Sequence, residues 1–93
     1  MNPELVQLLE NKLFVYPNPA GFEANLAFKS KVNGNSVITV INQLGSVVLK
    51  RTIAVNEGDN IRRLDVSSLA SGMYYIKMQN GSEIQTAKIV ITK

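Results

Sequence analysis

Apolar and polar residues alternate with a period of two along most of this chain, and glycine, proline or asparagine bounds each alternating run. Phe22, Ala24, Leu26 and Phe28 share one face of a predicted strand, with Glu23, Asn25 and Lys29 on the other. Asn33-Gly34 follows, a pair that tolerates positive φ and predicts a two-residue hairpin. Ser36 to Asn42 is apolar on both faces, which predicts a central strand covered on each side. Gly45 marks the next turn, after which Val47, Leu49, Ile53 and Val55 share a face. Arg51 interrupts that face, predicting a bulge or a charge that guards a sheet edge. Glu57-Gly58-Asp59-Asn60 reads as a turn and Ile61 to Val66 as the strand after it. Asn80-Gly81 closes a last hairpin ahead of Glu83 to Lys93, where Ala87, Ile89 and Ile91 alternate with Lys88, Val90 and Thr92. At the other end, Leu13-Phe14-Val15-Tyr16 predicts a short strand. Pro17-Asn18-Pro19 stops it, because prolines remove ladder donors.

Leu64 to Met78 is the stretch around which these runs are organised, and it reads as strand, single helical turn, strand. Ser67 is positioned to cap the turn, and Gly72 suits a left-handed residue that ends it. Beyond Gly72, the side chains of Tyr74, Ile76 and Met78 fall on one strand face and those of Met73, Tyr75 and Lys77 on the other. The Gly72-Met73-Tyr74-Tyr75-Ile76 spacing resembles the tyrosine corner of immunoglobulin-like sandwiches, in which the phenol bonds back to the chain upstream. Seven short strands with regular turn signals and no long helix predict an all-β fold. The expected architecture is a seven-stranded antiparallel immunoglobulin-like β-sandwich, with a closed barrel as the alternative.

Composition narrows the chemistry. Ninety-three residues make one domain, and the absence of cysteine and histidine removes disulfides, thiolate metal sites and the commonest general base. Residues 4–10 carry helical spacing at Leu5, Leu8 and Leu9 but are too few to hold a helix alone. They are therefore read as a linker or a short helix contributed by whatever lies upstream. No apolar run approaches the ~20 residues that span a bilayer, and the N-terminus lacks a signal-peptide pattern, so the chain is expected to be either cytoplasmic or part of something longer, the second being the favoured reading. Glu57 and Asp59 fall short of a calcium ligand set and read as turn residues. Ser67 and Ser68 have no histidine to activate them. Lys50-Arg51 and Arg62-Arg63 are expected to touch across neighbouring strands as solvated pairs. A nucleic-acid stripe would need stacking aromatics, and the rings here sit mostly at core-like positions. Tyr75 is the one ring suited to stacking a sugar, so a carbohydrate-binding β-sandwich appended to a secreted hydrolase stands as the alternative function. No catalytic, metal-binding or cofactor-binding residue is predicted. The strand Thr86 to Lys93 either completes the sandwich or offers extended backbone to a partner by strand addition, and an exposed edge could pair two copies.

Four motifs taken together resemble the type A C-terminal sorting domain of proteins exported by the bacterial type IX secretion system. They are Val15-Tyr16-Pro17-Asn18-Pro19-Ala20, Gln43-Leu44-Gly45-Ser46-Val47-Val48, Leu64 to Ile76, and Thr86 to Lys93. The mid-chain motif departs from the family, where an acidic residue more often adjoins the leucine-glycine pair. The resemblance covers residues 13–93 as the sorting domain and leaves residues 1–12 as a linker or the end of an upstream cargo region. It implies a non-enzymatic address label ending a longer secreted protein, with Lys93 as the natural terminus. The cargo would fold in the periplasm, and the translocon would carry it through the outer membrane by recognising this domain. A sortase-like protease would then remove the domain by cutting within or upstream of residues 1–12, leaving cargo at the cell surface or secreted. Carried over by motif, the recognition residues are Leu69, Gly72, Tyr74, Lys88, Ile89, Val90, Ile91, Thr92 and Lys93.

Overall fold

In a computed structural model of the protein, residues 13–81 and 83–93 are described. The predicted linker, residues 1–12, lies outside them. The described residues form seven strands: β1 (Phe14–Tyr16), β2 (Glu23–Ser30), β3 (Gly34–Asn42), β4 (Val47–Val55), β5 (Gly58–Asp65), β6 (Gly72–Asn80) and β7 (Glu83–Ile91). They assemble into a three-stranded sheet, β1-β2-β5, and a four-stranded sheet, β4-β3-β6-β7, with every neighbouring pair antiparallel. The all-β immunoglobulin-like sandwich is as predicted, and two separate sheets replace the barrel alternative.

Period-two alternation decides which face each strand turns inward. Ala24, Leu26, Phe28 and Leu64 from the smaller sheet meet Ile38, Val40, Leu49, Val55, Tyr74, Ile76, Met78, Ile89 and Ile91 from the larger one, all buried. Each fully buried Ile or Leu contributes roughly 1.5–3 kcal/mol through removal of apolar surface from water. Leu69 and Val66 fill the end of the core below the turn that joins β5 to β6.

Several local expectations are corrected by the way the chain moves between sheets. Asn33-Gly34 does not close a hairpin, because β2 and β3 lie in different sheets and the chain crosses the sandwich there. The Asn33 carboxamide oxygen instead accepts from Glu57 N at 2.8 Å, which ties this crossing to the β4–β5 connection. Phe22 falls outside β2 and is exposed, since the inward row begins only at Ala24. β3 is central, but only its Ser36, Ile38 and Val40 face is buried; Val37, Thr39 and Ile41 are half-buried on the uncovered face. The irregularity in β4 sits at Val48, because Val40 pairs with Leu49 and Ile41 with Val47. Arg51 opposes inward-facing Ile38 on an edge strand, where a charge discourages further pairing. β5 begins at Gly58, earlier than the predicted Ile61, so Asp59 and Asn60 belong to the strand. Lys50-Arg51 and Arg62-Arg63 stand in different sheets rather than on neighbouring strands; Arg63 pairs with Glu23 at 3.3 Å, and Arg62 Nε donates to Ala54 O at 2.9 Å.

Candidate functional site

The turn between β5 and β6 is built by Asp65. Its carboxylate accepts from Ser67 N at 2.9 Å, and Leu69 N donates to Val66 O at 3.0 Å, so the chain reverses without a helical turn. The capping acceptor is thus Asp65, two residues ahead of the predicted Ser67. Hydrogen bonds from the Ser67 side chain and backbone, with lesser help from the Arg63 and Arg51 guanidiniums, hold the Asp65 carboxyl below the usual aspartate range. Leu69 is buried and pins the turn to the core. Gly72 does not end the turn in the left-handed helical region; at φ 159° it opens β6 close to full extension. Buried Tyr74 makes the predicted corner, its Oη donating to Ala70 O at 2.6 Å.

The terminal strand completes this corner. Gly72 pairs with Ile91, Met73 with Val90 and Tyr74 with Ile89. Lys93 then runs over the turn: its backbone N donates to Ser71 Oγ at 3.1 Å and its Nζ to Ser67 O, while Nζ stands 5.6 Å from the centroid of the Phe22 ring. Of the predicted recognition residues, Leu69, Tyr74, Ile89 and Ile91 are buried and Val90 half-buried, leaving Gly72, Lys88, Thr92 and Lys93 exposed.

The first and last motifs meet as well. The Asn18 side chain accepts from Val90 N at 3.0 Å and donates to Lys88 O at 3.2 Å. Ala20 makes a parallel bridge to Ile91, with Ala20 N donating to Val90 O and Thr92 N to Ala20 O, each at 2.9 Å. The outward-facing backbone groups from Lys88 in β7 to Thr92 just beyond it are therefore already paired within the chain. The mid-chain motif lies at the same end, because Asn42 pairs with Tyr74 across β3 and β6. The Asn42 carboxamide oxygen accepts from Leu44 N and Ser46 N, both at 3.0 Å, and holds out Leu44, which is 90% exposed. Phe22, 68% exposed, stands at this end through Val66 N, which donates to Phe22 O at 2.9 Å.

All four motifs singled out in the sequence thus converge on one end of the sandwich. Asn18, Phe22 and Leu44 belong to that end too, although sequence reasoning gave them no site role. The one available signal was an asparagine set between two prolines, a polar side chain in a segment poor in backbone donors. Among the described residues no cluster of three or more acidic, histidine or cysteine side chains could hold a metal ion.

Fold and convergence together define a small disulfide-free β-sandwich in which separated motifs share one end. The chain belongs to the family of secretion system C-terminal sorting domains, whose family model matches residues 14–92. It is a type IX secretion sorting signal, associated with that machinery and with a cargo polypeptide, and it directs export toward the cell surface or secretion. The family is one of sorting signals rather than enzymes. A search of curated proteins gives no match.

Proposed function

We propose that the type IX translocon reads the motif-bearing end of this sandwich as cargo passes from the periplasm through the outer membrane. A sortase-like protease then cuts within or upstream of residues 1–12, leaving the cargo anchored or released. In this reading residues 13–93 act as a unit. Leu69, Tyr74, Ile89 and Ile91 act from the core by setting the shape of the end, while Gly72, Lys88, Thr92 and Lys93, with half-buried Val90, present it. Leu44 and Phe22 extend the same surface. The supporting observation is the convergence of the four motifs, with Lys93 clasped against Ser67, Ser71 and Phe22. A partner that added a strand along Lys88–Thr92 would first have to displace Asn18 and Ala20, so contact with the folded end is the simpler mode.

The test is export of a reporter fused ahead of the domain, in a bacterium that carries the machinery. Deleting Lys88–Lys93 should strand the reporter in the periplasm. Because that deletion also removes buried Ile89 and Ile91, worth roughly 1.5–3 kcal/mol each, the surface pair Leu44→Ala with Lys93→Ala is decisive. Both side chains are exposed, so the melting temperature should move by only a few degrees. Full export of that folded double variant would overturn the proposal.

A further inference from the structure

The outer face of the four-stranded sheet adjoins the motif-bearing end, and its charge is one-sided. Residues alternating with the buried rows of β3, β4, β6 and β7 point outward. Register places Val47, Ile41, Tyr75 and Lys88 in one row across the four strands and Lys50, Thr39, Lys77 and Thr86 in the next. Tyr75 is 48% exposed and Val47 58%. No aspartate or glutamate lies in these rows, and no ion pair among the described residues engages Lys50, Lys77 or Lys88. The acidic strand residues Glu23, Asp59 and Asp65 face outward on the other sheet, beside Arg63 and Lys29. Lys77 and Lys88 on adjacent strands, with Lys50 two strands over from Lys77, gather like charge on one face without a counter-charge, a standing cost that a carboxylate-bearing partner would relieve.

We propose that this face docks on an acidic protein surface of the secretion machinery, with carboxylates opposite Lys50, Lys77 and Lys88 and an apolar patch over Ile41 and Tyr75. The inference rests on the sorting function proposed above and names the surface and chemistry of one partner. An apolar centre with a charged rim is the usual anatomy of a protein interface, and tyrosine is a common anchor within it. Tyr75 is the lone ring of the two rows, which gives a glycan a single stacking platform and favours a protein. Strands ~4.8 Å apart and residues ~3.3 Å apart give a face on the order of 500 Å². That is below the ~800 Å² per partner of a standard interface, a size suited to transient contact.

The reporter fusion tests this face without touching the terminal motif. Lys50→Glu with Lys77→Glu should slow export about tenfold or more, Tyr75→Ala should slow it too, and Lys50→Arg with Lys77→Arg should preserve it, since rim charges govern encounter with a complementary surface. Thermal melts of the purified variants check folding. Wild-type export rates for the Glu pair and for Tyr75→Ala would overturn the docking proposal and leave the sorting function standing. An unaltered fusion that stays in the periplasm would remove both. If the purified domain binds phosphatidylglycerol vesicles or heparin, and the Glu pair abolishes that binding without slowing export, the face belongs to an anionic surface and not to a protein partner.

Discussion

Asp65 shows a single side chain setting a reversal on which an end of the sandwich depends. Its carboxyl is held below the usual aspartate range, so its contribution to stability is fully present above the unfolded-state pKa, near 3.9. That contribution is lost as pH falls through the lower folded-state value. Asp65→Asn keeps an oxygen that can accept from Ser67 N but removes the charge favoured by Arg63 and Arg51. The wild type should therefore be the more stable protein at pH 7, and its advantage over Asp65→Asn should shrink below about pH 4 and vanish in stronger acid. Urea midpoints of both proteins from pH 2 to 7 check this, and a gap independent of pH would refute it. The same turn marks what sequence can resolve at this scale. Ser67 and Asp65 are both competent caps, and only the backbone path chooses between them. The Tyr74 corner was legible because its partner, Ala70 O, lies four residues back along the chain.

At the scale of elements, β7 is held on both sides, by β6 along its length and by the Pro17–Ala20 segment at its end. Asn18 makes the second attachment with one side chain that serves as acceptor for Val90 N and donor to Lys88 O. Asn18→Ala should destabilise the domain by about 1–2 kcal/mol, since a typical hydrogen bond contributes about 1 kcal/mol net. Asn18→Asp, which keeps the acceptor and loses the donor, should fall between. Amide hydrogen exchange locates the effect: Val90 should lose protection while Ile76 keeps its own, and uniform loss across both would contradict a local clasp. The strands themselves were legible because alternation, glycine and proline are local signals. Asn33-Gly34 misled because a turn-prone pair suits a crossing between sheets as well as a hairpin, and its neighbours carry no mark of which sheet they will join. The Val48 bulge was missed for a related reason, since register is a property of two strands and the irregularity was sought at the visible break in pattern, Arg51.

For the molecule as a whole, the pairings that make the sandwich join distant parts of the chain: β2 with β5, β3 with β6, and Ala20 with Ile91. Period-two patterning announces which side chains face inward but not what they face, so the meeting of the four motifs at one end emerged only from the assembled sheets. Such a domain stands or falls together. Ile76 is fully buried in the middle of β6. Ile76→Ala should cost about 2–5 kcal/mol through lost burial and the cavity left behind, against the ~5–15 kcal/mol that stabilises a folded domain. At this size the total should lie toward the lower end of that range. Thermal melts should therefore show the Ile76→Ala midpoint lowered by about eight degrees or more, with the clasp at Lys93 lost in the same transition as the core. If recognition requires the folded end, export of the fusion should fall in step with the folded fraction for core variants such as Ile76→Ala. It should fall at constant stability for surface variants such as Leu44→Ala. Export at the wild-type rate of a fusion whose core carries enough such substitutions to unfold it, as melts of the purified domain would show, would mean that the machinery reads the terminal segment as an extended peptide, and the sandwich would then serve only to shelter that peptide until it is read.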